Sequence, residues 1–405
     1  TGVLTGGVWS TDTAGRARYA VIAHANQTLS TAGHTRGHIY TDRGDIGLHP
    51  GFVRALDSHQ MLSAPLNMHL SGSLISSLLW AGQNPAEAGY PERDGPTFLA
   101  RVKAFIDAGL GSKIGGVYAE HMMPWFEGEV NQASIRAFHG VADAVFGLGA
   151  GDMEVMHVPE RVIHSDTNWP YASPGAALEG KPFRDILAGG YRATYLDEVT
   201  HLHWWFYPDE TTRPGWDDDA CGRWAGGQGN DEEPYHHKIH KINGVYCFMI
   251  NDREDQTKFG PVDGGMALDT RFTLLEKARS PDQEQLTVVF DDWEAFAGNS
   301  FTSSTPNNNA DQWHTTLRWA ANHPWIHIVN LTDILAEAAT HGNWIVDHGF
   351  VYDKSMQTYE WLKHACEDSY HHWYYNSSGG VPGNEQDFYN LVPVISGEQG
   401  DYHRR

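Results

Sequence analysis

Short apolar runs that stop at polar residues, alternating with helical segments, fill most of this chain. Residues 18–23 end at His24, Asn26 and Gln27, and residues 65–70 carry His69. Residues 113–118 end at Glu120 and His121, 154–158 run into Glu160, and 191–197 close on Asp197 with His201 beyond. Residues 242–250, 286–290 and 325–330 complete the set, and the run 286–290 delivers Asp291 and Asp292. Between them, 51–61, 95–109, 131–148, 264–278 and 312–322 carry helical patterning, with Ser71 and Thr332 placed to cap further helices. Strands alternating with helices predict βαβ units and a parallel sheet, an α/β fold of seven or eight strands.

Polar groups recur at the same end of nearly every predicted strand. In an α/β barrel the carboxyl ends of the strands open on one face, so these groups would line a single polar cleft. Each of them alone is more simply a satisfied structural polar group, and the coincidence is what carries weight. Glu160 sits beside Arg161, a cation that would favour the ionised form a nucleophile needs. Asp291 and Asp292 are adjacent at a strand end, where side chains alternate. One should therefore face the cleft and the other the wall or a loop. Crowding with other acids would raise the pKa of a cleft carboxyl, as a general acid requires. Paired carboxylates across one cleft suit cleavage of a glycosidic bond.

The formal charge of −23 argues against nucleic acid or an anionic membrane surface as partner. It suits a neutral ligand and leaves carboxylates for a hard cation such as calcium. The acid runs 217–219 and 231–233 lie in an irregular insertion, residues 204–240, rich in Trp, Asp, Gly and His. A solvated surface is their plain reading and a calcium loop the sharper one. Trp204, Trp205, Trp216 and Trp224 of the same insertion offer flat faces for sugar rings. His34/His38 and His236/His240 have i, i+4 spacing, which on a helix puts two rings on one face. The first pair lies in a Gly-rich loop, and no residue is assigned here as a metal ligand. Three cysteines give no disulfide framework. Residues 341–405 change character and are expected to pack as helices and loops against a catalytic unit spanning 1–340. A secreted, bacterial protein is expected, and the lack of an initiator Met suggests a portion of something longer.

Several stretches resemble motifs of glycoside hydrolase family 57 and its relative, family 119. V-M-H-V-P-E-R-V is similar to their nucleophile region, and V-F-D-D-W-E-A-F-A-G to their acid/base region, which usually has an Asp-Gly-Glu-x-Phe-Gly core. Here Trp293 replaces the Gly and Ala297 intervenes before Gly298; aligning on Glu294 and Phe296 makes Asp292 the match. I-G-G-V-Y-A-E-H resembles a further region in which Glu120 would bind substrate, and A-H-A-N-Q a diverged first region. The likeness covers about residues 18–340. It implies an incomplete (β/α)7 barrel and a retaining mechanism on α-glucans or maltooligosaccharides. Glu160 would be the nucleophile and Asp292 the acid/base. His24, Gln27, His69, Glu120, His121, Asp197, His201, Trp204, Trp205 and Asp291 would bind substrate. No cofactor is required by this reading, with calcium optional. The family 119 side implies α-amylase activity. Rival expectations are a 4-α-glucanotransferase on the same site, a metal-dependent polysaccharide deacetylase, and a glucan-binding domain without turnover.

Overall fold

A computed structural model describes residues 4–5, 8–9, 17–25, 50–80, 95–121, 123, 126, 128–161, 181–197, 237–251, 274–275, 278, 286–293, 309–341 and 344–347. At positions 160, 197 and 292 the description covers the backbone alone. Gln27, His201, Trp204, Trp205, the acid runs of the insertion and the tail beyond 347 lie outside the described residues.

The strands, in chain order, are β1 (Leu4–Thr5), β2 (Val8–Trp9), β3 (Ala17–Ala25), β4 (Leu66–Leu70), β5 (Gly111–Ile114) and β6 (Val155–Met156). There follow β7 (Ala193–Asp197), β8 (Ile239–Ile242), β9 (Val245–Ile250), β10 (Leu286–Asp292), β11 (Ile326–Ile328) and β12 (Ile345–Asp347). The helices are α1 (Pro50–Leu62), α2 (Gly72–Trp80), α3 (Gly95–Asp107), α4 (Gly128–Phe146), α5 (Lys181–Ala188), α6 (Asn309–Ala321) and α7 (Leu331–Ala338). Among the described residues, no helix is long and apolar enough to cross a membrane.

One sheet runs β10-β3-β4-β5, with β11 beside the first half of β3, and every pairing in it is parallel. A second runs β12-β8-β9-β7-β6 and is parallel except for the β8–β9 hairpin. Among the described residues, the sheets meet between β5 and β6 and between β9 and β10. Gly115 bridges Met156 in parallel, with Gly115 N–H donating to Val155 O (2.9 Å) and His157 N–H to Gly115 O (2.8 Å). Asn251 N–H donates to Val288 O (3.0 Å), and its side-chain oxygen accepts from Val288 N–H (2.8 Å).

Helices cover one face of these strands, so β3 is apolar on both sides. Tyr19, Val21, Ala23 and Ala25 pack outward with residues of α1, α2, α3 and α6. Ala20 and Ile22 point the other way, into a second cluster with Ile114, Val155, Ala193, Tyr195, Phe248, Ile250 and Val288. The outer faces of β6, β7 and β9 pack with α4 and α5. Strand parity thus separates an inner core from two outer ones.

Three local expectations need correction. Residues 242–250 are not one strand. Asn243 and Gly244, at φ 49° and 85°, make the tight turn between antiparallel β8 and β9. An Asn-Gly pair tolerates positive φ at both central positions, as a two-residue hairpin loop demands. His240 therefore sits on a strand, not a helix, and its spacing from His236 loses its helical meaning. Residues 113–118 leave the strand after Ile114. Thr332 is inside α7, whose N-cap is Asn330. Ser71 does cap α2, its hydroxyl accepting from Leu74 N–H at 3.2 Å.

The start of α7 is served from a distance. Asn67, fully buried in β4, accepts Leu331 N–H at 2.8 Å and donates to Val21 O at 2.9 Å. One amide so ties β3, β4 and α7. Asn67→Ala would orphan a buried donor and a buried acceptor. It is expected to cost about 1–3 kcal/mol, read as a lower urea midpoint with an unchanged slope.

Candidate active site

Register brings the strand ends level. Residue 292 of β10 pairs with His24 of β3, and His24 with His69 of β4. His157 follows β6 directly, and Glu120 comes from the loop after β5. His24, His69, Glu120 and His157 converge here, each offering a nitrogen or oxygen, and these atoms all lie within 4.8 Å of one another. The three rings are buried, with centroids 4.2–4.9 Å apart. They close over the inner core through Phe290 and Tyr195, 6.0 Å from His24 and 5.5 Å from His157 respectively.

The contacts are specific. His24 Nδ1 meets His69 Nδ1 at 2.8 Å, so one ring donates and the other accepts. His157 Nδ1 bonds the Tyr195 hydroxyl at 2.7 Å. The Glu120 carboxylate spans the other two nitrogens: His69 Nε2 lies 3.5 Å from Oε1, and His157 Nε2 3.4 Å from Oε2. Glu120 holds a left-handed backbone, φ 52°, which turns this loop residue back over the strand ends.

Burial governs the charges. It holds His24 and His69 well below the ordinary histidine range, and the neighbouring His157 charge pushes the same way. Burial also pushes Glu120 up to about 7, opposed by the charges of His24, Lys113 and His121. Lys113, on β5, is pulled down to about 7 by burial, opposed by Glu120. Its ammonium donates to Leu70 O at 3.2 Å and lies over the rings of Phe138 and Phe146 on the helix side.

The other sequence-nominated residues fall around this centre. Glu160 lies in the 3₁₀ turn Pro159–Arg161, three positions beyond His157, and the Arg161 guanidinium sits 4.6 Å over the Phe290 ring. Position 292 shares the parity of Val288, an inner-core residue, whereas Asp291 shares that of Val289, which packs outward. Position 197 closes β7 at the same end of the sheet. His121 is not in the cluster: its Nε2 bonds Asn131 Oδ1 of α4 at 2.8 Å. His157 stands in the quoted nucleophile motif at a strand's polar end, but its role, like those of Tyr195, Lys113 and Gly116, shows only in the fold.

Gly116 makes the approach of His69 feasible. A Cβ there would stand 2.5 Å from His69 Nε2. Gly116→Ala is expected to displace that ring and lower stability by about 1–3 kcal/mol. Thermal melts and activity on the same preparation would check it, with activity falling out of proportion to stability.

No protein-family model matches the chain, and no curated protein does. Solved structures do. The 4-α-glucanotransferase of Thermococcus litoralis superposes with a TM-score of 0.54 at 14% identity, over 87% of this chain and 43% of that one. A GH57-type branching enzyme from Pyrococcus horikoshii gives 0.53 at 13%, over 86% and 74%. A GH57 branching enzyme from Thermococcus kodakaraensis gives 0.52 at 10%, also over 86% and 74%. The chain thus spans less than half of the glucanotransferase. At such identities the likeness speaks for the fold, and that fold is of the glycoside hydrolase family 57 type.

Proposed function

We propose that the chain is a retaining glycoside hydrolase acting on α-1,4-glucans, an α-amylase, built on an incomplete (β/α)7 barrel. In this reading β3, β4, β5, β6, β7, β9 and β10 form the barrel, and the insertion 204–240 and tail 341–405 are appended to it. The observation that carries the proposal is the convergence of strand ends. Positions 24, 69 and 292 lie at the ends of three strands, and residues 157–160 follow a fourth, β6, beside a buried polar centre. Active sites of α/β barrels form at that face.

Glu160 attacks the anomeric carbon as the C–O bond to the leaving glucan breaks, and Asp292 gives its proton to the departing oxygen. Water then attacks the glycosyl-enzyme, passes a proton to Asp292 and frees Glu160. This chemistry asks for carboxyl groups about 5–5.5 Å apart. His24, Gln27, His69, Glu120, His121, Asp197, His201, Trp204, Trp205 and Asp291 are assigned to substrate binding in this reading. A transferase would use the same two acids with a glucan hydroxyl in place of water. The protein is secreted and bacterial in this reading.

Incubation with soluble starch, followed by analysis of product length and anomeric configuration, tests the proposal. New reducing ends of retained configuration are expected. Lengthened chains without new reducing ends would favour the transferase, and inverted products would sink the double displacement. A second reading, a metal-dependent carbohydrate deacetylase, is favoured by one observation, the three imidazoles around Glu120. It predicts acetate release that stops in a chelator.

A further inference from the structure

The geometry points to a divalent zinc-type metal centre formed by His69 Nε2, His157 Nε2 and the Glu120 carboxylate, with His24 beside it. Zinc binds imidazole nitrogen and carboxylate oxygen at about 2.0–2.2 Å, usually with tetrahedral angles, so two ligand atoms of one ion stand about 3.3–3.6 Å apart. Glu120 stands 3.5 Å from His69 Nε2 and 3.4 Å from His157 Nε2. Those separations are long for hydrogen bonds of a charged pair, which close to about 2.7–2.9 Å. With Oε1 facing His69 and Oε2 facing His157, each separation matches one ligand–ligand edge of a coordination polyhedron in which the carboxylate offers both oxygens.

The remaining nitrogens are engaged as the outer shell of a metal site requires. Zinc-bound histidines usually fix the ring through the second nitrogen. His69 Nδ1 meets His24 Nδ1 at 2.8 Å, and His157 Nδ1 meets the Tyr195 hydroxyl at 2.7 Å. Both rings therefore aim Nε2 at the same carboxylate. His69 Nε2 and Glu120 Oε1 have no hydrogen-bond partner among the described residues. Leaving such buried atoms unpaired forfeits their solvation without return, and one ion between them restores a partner to each. Gly116 leaves the space into which His69 Nε2 projects. Lys113, the nearby cation, is engaged by Leu70 O and by the Phe138 ring.

Two imidazoles and one carboxylate make a three-ligand set, the kind that leaves a fourth position for water or substrate. Such a donor set suits zinc over calcium, which takes six to eight oxygens. His24 lies close enough to serve as the fourth ligand or to orient His69. The site goes beyond the glucan reading and does not depend on it, since an ion here could equally bind a sugar hydroxyl pair or activate water.

The test uses the full chain, stripped with a chelator, re-equilibrated with zinc sulfate and passed through gel filtration before elemental analysis. About one zinc per chain is expected to be retained. Replacing zinc with cobalt is expected to give the visible absorption of a tetrahedral site. Tyr195→Phe is expected to weaken zinc binding by about 10–100-fold while leaving the ligands in place. His69→Gln and Glu120→Gln should abolish stoichiometric retention, with circular dichroism confirming their fold. Wild-type chain that retains no zinc, or retention unchanged in both ligand variants, would overturn the site without reference to any variant's activity. Starch assays on the stripped and loaded protein separate the two proposals. Reducing ends from zinc-free chain that never takes up the ion would remove the metal centre and keep the glucan reading. Bound zinc with no reducing ends would do the reverse.

Discussion

Asp292→Asn is expected to lower kcat on soluble starch by about 10²–10⁴-fold, the usual worth of a positioned general acid. The backbone should be untouched, because position 292 ends β10 and its ladder to β3 uses main-chain groups. Glu160→Gln should lose at least as much, since without a nucleophile no glycosyl-enzyme forms. Glycine variants of the two positions differ in how azide rescues them. With Glu160→Gly, azide enters from the vacated side and gives a glycosyl azide of inverted configuration. With Asp292→Gly, azide intercepts the glycosyl-enzyme and the configuration is retained. Activity within a few-fold of wild type in either variant, or the opposite stereochemistry, would remove these residues from the chemistry.

Much of the scaffold that presents these acids is legible in the chain. The apolar runs behind His24, His69, Glu160 and Asp292 are strands because they are buried on both faces, and continuous apolar runs are what doubly covered strands look like. Helix caps set by a neighbour were legible too, as Ser71 shows. The failures share a cause. Local pattern puts Thr332 at the cap of α7, but the donor at Leu331 is met by Asn67, which no local rule can see. The run 242–250 hid a hairpin because apolar residues continue on both sides of Asn243-Gly244. At the site, Glu120, His24 and His69 were visible one by one as strand-end groups. Their assembly was not, because it depends on strand order and register between segments far apart in the chain. His157 is illegible in the sequence for a related reason. Three residues before a candidate nucleophile, a lone histidine reads as scenery until the fold shows which residues it meets.

Trp313→Ala is expected to destabilise the protein by about 3–5 kcal/mol, the range for emptying a buried tryptophan site. Trp313, on α6, is 1% exposed and packs in the outer core against α1. Its indole N–H donates to His59 Nε2 at 3.0 Å. Indole nitrogen only donates, so Nε2 must accept, and the His59 proton sits on Nδ1, which donates to Ala64 O at 3.1 Å. The ring is thus locked neutral, and burial pulls its pKa down to about 4 from the ordinary 6.5. Between those values the unfolded chain holds more protons than the folded one. Stability from this group is therefore complete above about pH 6.5 and lost progressively as pH falls toward 4, by on the order of 3 kcal/mol. Trp313→Phe keeps much of the packing and removes the donor. It should cost less than the alanine variant, and it should also flatten the loss between pH 6.5 and 4, because a solvated or re-paired His59 titrates nearer its usual value. Urea midpoints of the three proteins across that interval would decide. Parallel curves would show that the indole contributes volume alone.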